Sequence, residues 1–459
     1  MALRDRMERR RVRRLWRRTV ALSWPIAVQQ TFTTLMRTVD LLVTGLFSPV
    51  AVAAVGLADL YAQLPLRLGL GLGTGAIALS SQDTGRAATA TRDRAITQAF
   101  LLAVLTGLPL VVVGLTLSDF LIAILGAEST VVAMSGTYLA IVFAASPMRI
   151  VGLVGARSLQ GTGDTRTPML VNGGANVLNV CLTVGLGLGV GPLPRLEIVG
   201  VGVATAISRT VEAVAITAAV ASPATQLSFA RPRSFTVTRQ LVAVSLPNVA
   251  EGMSTSLANF PFNALLLTFG TEINAAYHIG RRIYQQLTGP LYRSLSTAAS
   301  IVVGQALGEG DPENARFAGF AIMGLGVITL SVAGLVLVVL ADPLARVFTS
   351  DPLTVVHATA FTRVFGVSMG FFGVFFPLAG SLRGAGETRT PFYARFLGTV
   401  GFMLGFAYVA AVPLGFGLLG VYAGVALSYA CWALVVAAGF VRGRWAETAA
   451  DMMAERADA

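Results

Sequence analysis

No lysine occurs in the 459-residue chain, so all 34 of its basic residues are arginine. Charged residues of either sign reach only 12% against 54% hydrophobic, and a soluble domain of this size would need far more charge to cover its surface. Histidine is almost missing, with His278 and His357 alone. No Ser/His/Asp or Cys/His arrangement stands out and no metal-ligand spacing is present, which argues against an enzyme and against any resident cofactor. The two cysteines, Cys181 and Cys431, fall in long apolar segments without CxxC spacing and read as small core residues. Strand-like alternation is absent, which excludes a transmembrane β-barrel.

What the chain has in abundance is apolar runs of 20 residues or more, such as Thr97–Leu117, Phe317–Leu340 and Phe416–Val441, each long enough to cross a hydrocarbon core of about 30 Å as a helix. Twelve such spans are expected, at about 19–45, 50–80, 97–117, 130–156, 168–190, 198–221, 239–268, 274–307, 316–341, 353–380, 391–414 and 416–441. Several contain glycine or proline. Interrupted helices are tolerated in lipid where neighbouring helices or cavity water satisfy the freed backbone groups, so they hint at a cavity. The first apolar run continues into a full span with no small-residue cleavage site, so it is read as a retained helix.

The formal net charge is +11. With the N-terminus cytoplasmic, tails and inward loops collect 23 arginines, nine of them before residue 19, whereas outward loops hold only Arg195 and Arg346. That asymmetry predicts a multi-pass plasma-membrane protein with both termini inside, and it explains the basic charge without any nucleic acid. The Arg4–Arg18 cluster reads as a topology and anionic-lipid anchor.

The chain repeats itself. SLQGTGDTRTPM at Ser158–Met169 returns as SLRGAGETRTPF at Ser381–Phe392, displaced by 223 residues. The same displacement pairs Tyr61 with Tyr284, Gln63 with Gln286 and Gln82 with Gln305. Pro25 pairs with Pro247 at 222, and Gly200–Ser208 resembles Gly420–Ser428 at 220. The expected fold is therefore an all-α membrane protein of twelve transmembrane helices in two homologous six-helix bundles. Six is even, so both halves enter the membrane alike and are related by a pseudo-two-fold axis along its normal, with binding expected between them. The expected organisation is a cytoplasmic Arg-rich tail at 1–18, an N-terminal lobe at 19–221, a cytoplasmic linker at 222–238, a C-terminal lobe at 239–441 and a cytoplasmic tail at 442–459.

These motifs resemble the multidrug and toxic compound extrusion (MATE) family over Leu22 to about Val441. LSWP at Leu22–Pro25, VDLLVTGLFSPVAVAAVGLA at Val39–Ala58, the paired GxGxTRTP loops, NVLN at Asn176–Asn179 and GVGVATA at Gly200–Ala206 carry the resemblance. One acid in the first span and none obvious in the tenth is similar to the DinF-like and archaeal branch. The resemblance implies a secondary antiporter that works by alternating access, expelling cationic or amphipathic organic compounds in exchange for protons or sodium ions. Its partners would be those small substrates and membrane lipids, and a monomer is the expected state.

Asp40 lies inside the first span, where an ionised carboxylate is costly unless paired or solvated, so an acid there is a functional candidate. Desolvation disfavours the charged form of any such carboxyl, bringing proton uptake within physiological reach. Its repeat mate is Asn263, which makes the halves chemically unequal and points to the N-terminal half for ion coupling. The bland alternative is a pair with Arg37, one turn away. Asn179 and Thr183 are four apart on the fifth span and share a face, as oxygens should if they ligate a cation or hydrogen-bond Asp40. By resemblance, Asn179 and Thr205 match polar residues of the family's N-terminal ion site. Thr183 departs from it, since related sequences often carry Asp there; one anionic ligand fewer weakens tight sodium binding at Asp40 and favours proton coupling. Ordinary interhelical polar packing is the competing explanation for Thr183 and Thr205.

Pro25 and Pro247 sit early in the first helix of each half, where a missing backbone hydrogen bond permits bending. Glu251 is a candidate secondary acid, whereas Arg209, one turn before Glu212, gives that acid a structural partner. MGFFGVFFP at Met369–Pro377 brings Phe371, Phe372, Phe375 and Phe376 together as a candidate wall for aromatic substrates, with Asn263; lipid-facing or core packing is the commoner use of such residues. The GTGDTRTP loops read as tight turns that cap the following helix, with no GK[ST] to bind phosphate. The rival reading is a flippase for lipids or lipid-linked oligosaccharides, which the intramembrane arginines Arg67, Arg149, Arg293, Arg363 and Arg395 could serve by clamping phosphate. A passive channel or scaffold is disfavoured by the unequal halves.

Overall fold

The computed structural model describes residues 2–458, and side chains from residue 8 onward. Of the arginine-rich segment, the side chains of Arg4 and Arg6 therefore lie outside the described residues, as do Met1 and Ala459. No strand occurs among the described residues. In chain order the helices are α1 (Ala2–Gly45), α2 (Pro49–Ala62), α3 (Leu64–Gly85), α4 (Thr89–Ala123), α5 (Ser129–Ala144), α6 (Ser146–Gly161), α7 (Arg166–Leu188), α8 (Glu197–Ala221), α9 (Thr236–Leu267), α10 (Thr271–Gly308), α11 (Pro312–Val339), α12 (Ala341–Phe348), α13 (Pro352–Gly384), α14 (Arg389–Phe396), α15 (Ala407–Ala411), α16 (Leu418–Arg442) and α17 (Trp445–Ala457). A π-helical stretch, Leu397–Phe406, joins α14 to α15.

Among the described residues, twelve long helical segments thus stand where twelve spans are expected. Eight are long and apolar enough to cross a membrane by composition alone, and α5 with α6 makes a ninth, bent by 46°. That bend falls at Ala145, immediately before Ser146 and Pro147, whose missing N–H cannot continue the α5 ladder. The other three, α1, α9 and α10, carry more polar residues along their length.

By packing, the chain divides into a C-terminal unit, Met1–Ala27 with Leu246–Ala454, and an N-terminal unit, Val28–Ser245 with residues from Glu455 on. The division falls inside α1 and inside α9, within three residues of Pro25 and Pro247. Each unit is built to the same plan. In the N-terminal unit α3 packs on α6, α6 on α8 and α7 on α8; in the C-terminal unit α10 packs on α13, α13 on α16 and the π-helical stretch on α16.

The repeated motif has a physical purpose in this plan. Gly161 and Gly384 close its SLxG part, and each lies where its helix crosses a neighbour's backbone: a Cβ on Gly161 would meet the Ile77 carbonyl at 3.1 Å, and one on Gly384 the Ser300 carbonyl at 2.3 Å. Ile77 and Ser300 are themselves repeat mates. The turns that follow need Gly163 at φ +97° and Gly386 at φ +85°. Asp164 then accepts the Thr167 N–H at 3.0 Å and Glu387 the Thr390 N–H at 2.9 Å, capping α7 and α14. The loops are turns and caps.

Asp351 caps α13 in the same way, and the Thr354 hydroxyl and backbone N–H hold its carboxyl below the usual carboxylate range. At the other end of the chain, residues 445–457 form α17. Trp445 stacks on Phe440 at 4.9 Å between ring centres and donates its Nε1–H to the Phe440 carbonyl at 2.9 Å. Arg456 is fully buried, donating to Gln240 at 2.8 Å, Gln82 at 2.9 Å and Asp83 at 3.0 Å. Burial pushes its guanidinium below its ordinary range, and the Asp83 charge opposes that.

Candidate functional site

In the N-terminal unit three helices, α1, α7 and α8, enclose a polar strip inside apolar surroundings. The reason lies in α7, whose Asn172, Asn176, Asn179 and Thr183 recur at helical spacing, so that all four side chains emerge on one face. All four are buried. At one end of the strip the Thr183 hydroxyl donates to Asp40 Oδ1 at 2.9 Å, which is the contact expected from their side-chain chemistry. Thr44, one turn further along α1, returns its hydroxyl to the Asp40 carbonyl at 2.7 Å.

Asn179 lies beside this contact but turns to α8, where its Nδ2 reaches the Thr205 hydroxyl at 3.4 Å. Its Oδ1 is buried with no hydrogen-bond donor. An acceptor left without a donor is the kind of atom that a cation or a water proton satisfies. Asp40, Thr183, Asn179 and Thr205 therefore present one carboxylate and three neutral oxygens. That set fits proton exchange on the carboxylate, or a weakly held monovalent cation. Asp40 also feels the charges of Arg209, Asp59 and Arg37.

The strip continues beyond the residues singled out from sequence. Asn176 donates to Asn172 Oδ1 at 2.9 Å, and Thr33 on α1 donates to the same oxygen at 3.2 Å. Asn172 donates to Glu212 at 2.7 Å, and Glu212 accepts from Arg209 at 2.5 Å. Arg209 also reaches Asn176 Oδ1 at 3.3 Å, closing the network. Asn172, Asn176 and Thr33 are absent from the sequence-derived set, although the four-residue periodicity of α7 carries the signal. Glu212 has the structural partner that the Arg209 spacing suggests.

In the C-terminal unit Glu251 is not a lone acid. Arg383 Nη2 lies 2.7 and 2.9 Å from its two oxygens, and Arg395 Nη1 lies 3.0 Å from one of them. Arg383, at the end of α13, lies inside the unit as a partner of Glu251. Its sequence position, at a boundary between span and loop, could not show this. Arg395, one of the arginines that could clamp a phosphate, is the second partner.

The four phenylalanines of α13 divide. By helical spacing Phe371 lies about 40° from Phe375 and Phe372 about 40° from Phe376, so their positions along the helix do not separate them and their packing does. Phe372 and Phe375 are 2% and 0% exposed and pack with Trp432 in the core, Phe376 stacks on Tyr292 at 4.1 Å between ring centres, and Phe371 is 39% exposed. Two of the four are core packing. Asn263 on α9 is part-buried, and its Oδ1 has no donor. Pro25 and Pro247 sit inside α1 and α9, which run on through them as helix.

The family model MatE matches the chain twice, over residues 25–184 and 247–409, beginning at Pro25 and Pro247 and so following the internal repeat. A probable multidrug resistance protein NorM of Rhodopseudomonas palustris is 30% identical over 453 residues, covering 95% of this chain and 92% of that protein. Solved structures of MATE described as being in the bent and in the straight conformation superpose with TM-scores of 0.86 and 0.85, each at 22% identity, covering 96% of this chain and 97% and 96% of theirs. With the repeat, the twelve long helices and two copies of the family model in register, the chain belongs to the MATE family of multi-pass membrane transporters.

Proposed function

We propose that this chain is a multidrug efflux antiporter that exchanges cationic or amphipathic organic compounds for a coupling ion at Asp40, by alternating access in the plasma membrane. The observation that carries the reading is the Thr183–Asp40 hydrogen bond at 2.9 Å, beside the donorless Asn179 oxygen, on the one acid of the first span. Protons are the favoured coupling ion, because a single carboxylate among neutral oxygens can take up a proton fully but holds sodium weakly. The name of the Rhodopseudomonas relative supports the substrate class. The chain acts as a monomer among membrane lipids, with both termini cytoplasmic. Transport of ethidium in proteoliposomes under an imposed proton or sodium gradient tests this: a proton gradient drives uptake, and a chain that moves ethidium only down its own gradient would not be an antiporter.

Pro25 supplies the moving part. Without a backbone N–H it leaves the Ala21 carbonyl unpaired within α1, so bending there breaks no helix bond. Solved MATE relatives in bent and straight forms support such a motion, as does the passage of α1 from one compact unit to the other within three residues of this proline. Pro25→Ala restores the bond and favours the straight helix by up to about 3 kcal/mol. We expect membrane expression near native and turnover lowered about tenfold or more, read from initial ethidium rates per molecule. Native turnover by this variant would remove the bend from the mechanism.

A further inference from the structure

The C-terminal unit holds a cluster that the efflux reading does not use. Glu251 pairs with both Arg383 and Arg395, one carboxylate with two guanidiniums, so the group carries a net charge of +1 in a largely buried place. The guanidinium carbon of Arg395 also stands 4.5 Å above the ring centre of Trp432. Three buried groups here lack hydrogen-bond partners: Nε of Arg383, Nε of Arg395 and Nε1 of Trp432, the last lying against Gly398. All three are donors. What the cluster lacks is an acceptor.

The repeat does not place the same residues at these four positions. The mates of Glu251, Arg383, Arg395 and Trp432 in the N-terminal unit are Gln29, Gln160, Asn172 and Glu212. There Gln160 donates to Gln29 at 3.3 Å and accepts from Arg157 at 3.2 Å, while Glu212 accepts from Asn172 at 2.7 Å and from Arg209 at 2.5 Å, so amides stand at three of the four matching positions and the bases come from elsewhere in the unit. A surplus guanidinium is expensive to bury without a counter-charge, and a planar fork of N–H groups backed by an indole suits a carboxylate better than any cation. The side chains of Arg395 and Arg383 keep 25% and 15% of their surface exposed, against 3% for Glu251, so the two guanidinium side chains are less enclosed than the acid they hold, although their Nε atoms are buried.

We propose that Arg383, Arg395 and Trp432 form a recognition site for the carboxylate group of an organic substrate, with Glu251 as a built-in competitor for the same donors. The inference rests on the efflux reading and deepens it: the transporter would then take zwitterions and organic acids as well as cations. Glu251 and an incoming carboxylate contend for the same N–H groups, so substitutions at the acid and at the base act in opposite directions.

The test is equilibrium binding to the full chain in nanodiscs of norfloxacin, its methyl ester and ethidium. The native chain binds the free acid about tenfold tighter than the ester, and Arg395→Gln removes that preference while ethidium binds as before. Glu251→Gln strengthens acid binding, which a merely structural ion pair could not produce, and Arg395→Lys keeps part of the preference should Arg395→Gln fail to fold. Equal binding of acid and ester by the native chain, or equal loss of norfloxacin and ethidium in Arg395→Gln, would overturn the site. Arg395-dependent binding of inorganic phosphate with acid and ester alike would assign the donors to a free anion and overturn it too. Should acid preference hold in a chain that no gradient drives, the site stands and the efflux reading falls; should ethidium be driven while acid and ester tie, the reverse holds.

Discussion

Asp40→Asn is expected to abolish gradient-driven efflux while leaving the fold and drug binding in place. The amide keeps the shape of the carboxylate and can still accept the Thr183 hydroxyl, which lies 2.9 Å away in the native chain. It also removes the burden of a charge in the first span, so no loss of stability is expected. What it cannot do is take up and release a proton. Efflux driven by an imposed proton gradient should therefore fall by at least about a hundredfold, equivalent to about 2.7 kcal/mol on the coupled step, whereas ethidium binding changes by less than about threefold. Side-by-side proteoliposome assays of driven uptake and of binding make the comparison. Proton-driven transport that survives in the variant would move the coupling site elsewhere on the polar strip.

The second large effect is expected at Glu212. Its carboxylate accepts from Arg209 at 2.5 Å and from Asn172 at 2.7 Å, and it is almost completely buried. Glu212→Leu strands the Arg209 guanidinium inside the N-terminal unit, which costs about 3–5 kcal/mol. The yield of monodisperse protein in detergent should collapse and its melting temperature drop. Replacing both partners, as Arg209→Met with Glu212→Leu, removes the stranded charge and should recover most of the yield, because a well-packed apolar pair can match a buried ion pair. Failure of the double variant to recover would mean that the Asn172–Asn176–Arg209 hydrogen bonds, and not the unpaired charge, hold these helices together.

How far the site could be read in advance depended on distance along the chain. Asp40 announces itself because an acid inside an apolar run is exceptional whatever surrounds it. The face of α7 is legible because helical periodicity places Asn179 and Thr183 together, and the same logic extended by two turns would have reached Asn172 and Asn176. Glu251 was visible as an acid and invisible as a pair. Its partners lie 132 and 144 residues away, and no local pattern announces that separation. In the sequence Phe372 and Phe375 form one aromatic run with Phe371 and Phe376, and only their packing on Trp432 separates core from surface.

By itself the sequence determined the number of long helices, the two-fold repeat, the turns and caps of the paired TRTP loops, and the single acid of the first span. Each of these is set by composition, by a local period or by a backbone constraint within a few residues. Tertiary structure alone decided that Arg383 and Arg395 meet at Glu251, that Asn179 turns to Thr205 while Thr183 holds Asp40, and that Arg456 buries its guanidinium against Asp83. Those outcomes depend on which buried donor finds which buried acceptor once helices distant in sequence have packed. In an apolar interior an unmet charge is so costly that the folded arrangement, and not the spacing along the chain, selects the partner.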